Sequence, residues 1–155
     1  MISALPRFLF IFLFAWPVFA EFKVPALTGP IVDEVGLLSE ATRQAIEIQI
    51  RNLYQSKGAQ VQVLIVSSLG DEEIEPVAIK VYDAWKLGKE KVDDGILFLI
   101  APNQRKLRIE VGRGFEGDLP DIYAKRIISD IVIPRFKDKD YDAGISAGVE
   151  AIMSY

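Results

Sequence analysis

The side chains able to do chemistry in this sequence are mostly carboxylates. Histidine and cysteine are both absent. That removes Ser-His-Asp triads, imidazole proton shuttles, thiolate nucleophiles, disulfides and nearly all catalytic zinc and non-haem iron sites. What remains is carboxylate, hydroxyl and lysine chemistry, together with hard cations. Two acidic loops are of interest. Asp93-Asp94-Gly95 precedes an apolar run, and Gly112-Arg113-Gly114-Phe115-Glu116-Gly117-Asp118 follows another, with Asp121 just beyond. Carboxylates packed together raise one another's pKa and repel unless a cation neutralises them. Calcium takes roughly six to eight oxygens, from carboxylates and backbone carbonyls, and glycine-rich acidic loops offer both. The competing reading is ordinary exposed acids at helix starts, with Asp118 as an N-cap. The residues alone leave both open.

Other motifs carry less. Gly112–Gly117 matches G-x-G-x-x-G between a strand and a helix, but a dinucleotide fingerprint opens a βαβ unit and no further strand follows. Its acids would also repel pyrophosphate, so no nucleotide cofactor is expected and the glycines read as tight geometry around the carboxylates. Asp138–Gly144 is spaced like the start of an EF-hand, yet its glycine falls one place late and Val149 stands where a glutamate is needed. Asp140 or Asp142 as a helix cap is the better reading. Ser67-Ser68 has no positioned base. Arg108 and Arg113 could meet an anion near the acidic rim.

Positioning these loops falls to a short run of elements. A Pro/Gly-punctuated lead, Val24–Pro30, should lie extended, with Ile31-Val32-Asp33-Glu34 turning at Gly36. Ser39 is an N-cap for a helix over Glu40–Lys57 with Ile46, Ile50, Leu53 and Tyr54 on one face, stopped at Gly58. Gln60–Ser67 is a buried strand. Ile74–Trp85 is a helix that tolerates Pro76 in its first turn. Ile96–Ala101 is a second buried strand, and Leu107–Gly112 alternates as its hairpin partner. A helix from about Pro120 carries Ile122, Ile127, Ile128, Ile131 and Val132 until Pro134 ends or kinks it. Tyr141–Tyr155 is the last helix. The crossover helix makes the first two strands parallel and the hairpin makes the third antiparallel. The expected fold is a three-layer α/β/α sandwich on a small mixed, partly parallel sheet. This topology brings Asp93, Asp94, Glu116, Asp118 and Asp121 to one rim. At the other, Asp71, Glu72 and Glu73 should face Arg105 and Lys106.

The chain has 155 residues, 18 basic and 22 acidic groups, and a net charge of −4. This is one modest domain, and its acidity argues against nucleic acid as a partner. Residues 1–20 read as a secretory signal peptide: Arg7, an apolar run, Pro17, and a small-residue cleavage site with the cut after Ala20. Phe8–Ala20 would span roughly 20 Å as a helix against about 30 Å of hydrocarbon, so a membrane anchor is the weaker reading. Export to the periplasm or outside the cell is expected for residues 21–155.

Five ordered blocks carry a resemblance: Val32–Ser39 (VDEVGLLS), Gly58–Val66 (GAQVQVLIV), Asp93–Ala101 (DDGILFLIA), Arg105–Gly117 (RKLRIEVGRGFEG) and Ile133–Gly144 (IPRFK…YDAG). Together they resemble the TPM domain family over roughly Val24–Tyr155. That family includes a thylakoid-lumen protein implicated in photosystem II repair, a nematode acetylcholine-receptor auxiliary subunit and many exported bacterial proteins. The resemblance implies the same α/β sandwich and a divalent-cation site, calcium or else magnesium. Its implied ligands are Asp93 and Asp94 of the DDG loop and Glu116 of the glycine loop, with Asp33 and Asp121 as additions. It also implies an interaction or assembly accessory role, with a protein partner in the periplasm or at a membrane surface. The alternative is a weak metal-dependent acid phosphatase on the same rim.

Overall fold

A computed structural model describes residues 20–155. The proposed signal segment, all but Ala20, lies outside the described residues. Four strands form one sheet in the order β1 (Ile31–Asp33), β2 (Gln60–Ile65), β3 (Gly95–Ala101) and β4 (Lys106–Val111). β1, β2 and β3 are parallel, and β4 is antiparallel to β3. β3 is buried along its whole length, as its unbroken apolar run requires of a strand covered on both faces.

The period of two sends the side chains of β3 into two cores. Ile96, Phe98 and Ile100 face helices α1 (Glu40–Lys57), α3 (Asp121–Arg126) and α5 (Tyr141–Met153). Leu97, Leu99 and Ala101 face α2 (Ile74–Ala84) and the extended lead through Phe22. These are the three layers of an α/β/α sandwich.

Helix boundaries follow the local signals. The Ser39 hydroxyl accepts from the Thr42 N–H at 3.3 Å, and Gly58, at φ 76°, closes α1 by donating to the Tyr54 carbonyl. Tyr54 itself is exposed, because the buried stripe of α1 is only Ile46, Ile50 and Leu53. In α2, Val77, Ala78 and Val81 are fully buried, and the Trp85 indole N–H donates to the Pro25 carbonyl at 2.8 Å, fastening the lead.

Three features differ from the sequence reading. Ile31–Asp33 is a strand rather than part of a turn, in register with Val63–Ile65; three residues are too few to show a period. Asp71 and Glu72 do not pair with Arg105 or Lys106 among the described residues. They hold the start of the chain, Asp71 accepting from the Ala20 N–H and Glu72 from the Phe22 N–H and Lys80. Glu73 alone makes the expected pair, with Lys106.

Pro134 does not end its helix, whose regular winding is instead interrupted just before it. A π-helical turn, Ile127–Val132, joins α3 to α4 (Ile133–Lys137), and the Ile133 N–H reaches back five residues to the Ile128 carbonyl. The wider turn accommodates a residue with no N–H to donate. The Arg135 guanidinium donates to the Ile131 carbonyl at 2.7 Å, satisfying an acceptor near the irregular turn.

Candidate metal centre

The antiparallel register of β4 decides which loops meet. Ile96 pairs with Val111, so the entry to β3 and the exit of β4 share one edge. The Gly112 N–H donates to the Gly95 carbonyl at 2.8 Å, the first bond between them. Asp93 makes the rest. Its backbone is left-handed, with φ 54°, and its own carbonyl accepts from the Gly114 N–H at 3.0 Å. One carboxylate oxygen accepts from the Arg113 N–H at 3.1 Å, the other from the Tyr82 hydroxyl at 2.7 Å. Asp93 therefore clamps the glycine loop to the DDG loop and to α2.

The glycine spacing follows from that clamp. A Cβ on Gly112 would overlap the Asp93 carbonyl and the Tyr82 hydroxyl, and one on Gly114 would overlap the Val92 carbonyl. Gly117 has open space instead. The first two glycines of the G-x-G-x-x-G string thus serve close approach of two backbones.

Tyr82 is the residue that sequence reasoning missed. Burial, followed by the hydrogen bond and charge of Asp93, pushes its phenol far above the ordinary tyrosine range. It therefore stays a neutral donor to the carboxylate. One signal was present in the sequence: Tyr82 lies four residues after the buried Ala78, on the same side of α2.

Asp94 turns the other way. It is 7% exposed, and its carboxylate accepts from the Lys89 N–H at 2.8 Å and pairs with the Lys89 ammonium at 3.2 Å. Burial raises its pKa, but the two Lys89 interactions outweigh that and leave it below the ordinary aspartate value. Asp94 closes its own loop rather than facing the rim.

Two of the five nominated ligands stand elsewhere. Asp33 pairs in register with Ile65, which pairs with Ile100, so it sits at the opposite end of the sheet. There it accepts from the Val35 N–H at 3.1 Å and the Leu38 N–H at 3.0 Å, forming a turn cap. Asp33→Ala should cost about 1–2 kcal/mol by chemical denaturation, the usual loss of a capping carboxylate, and leave any cation response unchanged. Asp121 opens α3 alongside Arg108, a mid-strand residue of β4 opposite Leu99. It pairs with Lys125 at 2.7 Å and Arg108 at 3.3 Å. The Lys125 hydrogen bond, with help from Arg108, holds its carboxyl below the usual range. Nor does Asp118 cap α3, whose N-cap is Pro120 without a side-chain bond.

Asp140 does cap α5, accepting from the Ala143 N–H at 3.1 Å. Asp142, in its first turn, accepts from the Ser39 N–H at 2.9 Å and so ties the starts of α1 and α5 together.

The carboxylates at the candidate rim are therefore Asp93, each of whose oxygens already accepts one hydrogen bond, and exposed Glu116 and Asp118, which no cationic side chain pairs among the described residues. Their donor chemistry, carboxylate and loop carbonyl oxygen, suits a hard cation. The arrangement is open: among the described residues no three His, Cys, Asp or Glu side chains are grouped to hold an ion.

The depressed carboxyl pKa values set the acid response. For Glu72, Asp94, Asp121 and Asp142 the native value lies below the ordinary one. Their contribution is present above the unfolded-state pKa of about 4 and is lost as pH falls through the lower native values. Denaturant midpoints should be flat from pH 7 to about 5 and then drop steadily toward pH 2. Asp94→Asn should remove part of the drop and cost about 1–2 kcal/mol at neutral pH.

Comparisons with known proteins agree with this architecture. A domain of P. gingivalis, the N-terminal part of its protein and solved in solution, is 36% identical with a TM-score of 0.76, covering 82% of this chain and 81% of that one. The N-terminal domain of cg2496 from Corynebacterium glutamicum (18% identity, TM-score 0.65, 87% and 88% covered) shares the fold. So does BA42 from the psychrophile Bizionia argentinensis, at 17% identity and a TM-score of 0.66, with 79% and 83% covered. No curated protein matches the chain. The family model of the TPM domain matches residues 31–155, which is all four strands and all five helices, and the chain belongs to that family.

Proposed function

We propose that this is an exported, divalent-cation-binding interaction domain, an accessory module for assembling or maintaining other proteins, with calcium as the preferred ion and magnesium as the second. The observation that carries the reading is the Asp93 clamp. It fixes the glycine loop against the DDG loop and leaves Glu116, two residues beyond the clamped Gly114, exposed and without a cationic partner among the described residues. Asp93 and Glu116 would hold the ion, with loop carbonyls and water completing its shell. Bound there, it would supply charge neutralisation and a brace between two loops. Export is supported by the pattern of residues 1–20.

Metal-dependent phosphate hydrolysis on the same rim is the weaker reading. Arg108, a candidate to stabilise transferring charge, is held by Glu110 at 3.0 Å and by Asp121, which leaves Arg113, of those two arginines, for that role.

Thermal unfolding of the purified protein against calcium concentration tests the proposal. An ion at about a hundred times its dissociation constant adds about 2.7 kcal/mol, several degrees in a domain of this size. The expected result is a saturable rise that Glu116→Gln abolishes while leaving the metal-free midpoint unchanged. A wild type that responds to neither ion would remove the cation from the account. Repurified protein that hydrolyses a generic phosphate ester, and loses this in Glu116→Gln, would favour the enzyme.

A further inference from the structure

At the opposite end of the sheet from the DDG loop, the β3–β4 turn and the connection from α4 to α5 enclose a cleft of about 440 Å³. Four of its ten lining residues are cations: Arg105 and Lys106 on one lip, Lys137 and Lys139 on the other. No acidic residue lines it, in a chain of net charge −4. Between the lips lie apolar and aromatic groups, including Phe136 and Tyr141, whose rings meet edge to face at 5.1 Å. Lys106 is paired with Glu73, whereas Arg105, Lys137 and Lys139 make no ion pair among the described residues. The nearest acids in sequence all lie outside the lining: Asp138, Asp140, which caps α5, and Asp142, which accepts from the Ser39 N–H.

The backbone around the cleft narrows the ligand class. A compact phosphate is usually held by free N–H groups converging on one point. Four of those beside the cations are taken: Arg105 N–H by the Pro102 carbonyl, Asp138 and Asp140 N–H by the Arg135 carbonyl, and Lys139 N–H by the Phe136 carbonyl. The side-chain cations themselves are spread over two separate segments, 105–106 and 137–139, and do not converge on one point. Charge spaced along two lips above an apolar floor suits carboxylates spaced along a chain, with an apolar side chain between them.

We propose that this cleft docks an acidic peptide segment of a partner protein, its carboxylates on Arg105, Lys137 and Lys139 and one large apolar side chain against Phe136 and Tyr141. This gives the interaction reading a partner chemistry and rests on it for biological sense. The cation rim is at the other end of the sheet, so either proposal can fail alone.

The test is fluorescence anisotropy of the purified protein with a labelled eight-residue peptide of glutamates around a central phenylalanine. Saturable binding that weakens with salt is expected, at least tenfold tighter than for the same peptide with lysines in place of glutamates. Arg105→Glu with Lys137→Glu changes one exposed cation on each lip, and should weaken binding at least tenfold with thermal unfolding unchanged. Glu116→Gln should bind the peptide like wild type, with or without calcium, which separates this site from the metal rim. Absence of binding, or binding that survives the double reversal, would overturn the proposal. Capture by phosphatidylglycerol vesicles without peptide binding would also overturn it and assign the cleft to a membrane surface.

Discussion

Asp93→Ala should lower the stability of the domain by about 2–4 kcal/mol, a larger loss than for any other acid here. The mutation removes the acceptor of the Tyr82 hydroxyl and of the Arg113 N–H together. A half-buried donor left without a partner costs about 1–3 kcal/mol on its own, and bonds to a charged acceptor are the stronger kind. The Gly95 carbonyl, at 3.3 Å from the hydroxyl, offers Tyr82 a poorer alternative and limits the loss. Tyr82→Phe supplies the control. It deletes the donor rather than the acceptor, so it should cost less, and Asp93→Ala added to it should cost less than Asp93→Ala alone. Equal, additive losses in that double-mutant cycle would mean that the clamp is not a unit. The Tyr82 phenol in wild type should resist ionisation through the alkaline range in which free tyrosine titrates, since burial and then the Asp93 charge both oppose the phenolate.

Gly112→Val should be at least as damaging, about 3 kcal/mol or more, and should act on the same contact from the opposite side. Its added atoms would overlap the Asp93 carbonyl and the Tyr82 hydroxyl, one of them backbone, so the two loops must separate for the variant to fold. Gly117→Ala is the internal comparison, with open space around its would-be Cβ and an expected change within about 0.5 kcal/mol. Denaturant midpoints measured side by side decide it. Equal effects at positions 112 and 117 would show that the string works through loop flexibility and not through close approach.

Much of this fold was legible because its signals were long or chemically specific. The apolar runs over 60–65 and 95–101 and the alternation over 106–111 carry enough residues to show their period, and the crossover length then sets parallel against antiparallel. Ser39, Gly58 and Asp140 announced helix ends by residue type. β1 was hidden because three residues show no period, and the π turn because the contiguous apolar residues at 131–133 fit a regular helix as well.

The candidate site was legible only as a meeting of loops. The register of β4 brings Gly112 to Gly95, as topology required. The roles of individual carboxylates were not legible, since each depends on one neighbour whose distance no spacing rule gives. Lys89 turns Asp94 inward, Arg108 draws Asp121 along the strand, and the Val35 and Leu38 N–H groups hold Asp33 at the far end. The Arg105–Lys139 cleft was invisible for the same reason: its cations come from segments more than thirty residues apart.

The most direct test of the central claim, a hard-cation rim built where Asp93 meets the glycine loop, is an amide NMR titration of the purified protein with calcium. The account predicts saturable shifts confined to the DDG loop and to Arg113–Asp118, with the amides of Val35 and Leu38 beside Asp33 and those around Asp121 unmoved, and no shifts in Glu116→Gln. Shifts centred on Asp33 or Asp121, or a spectrum indifferent to calcium, would contradict it.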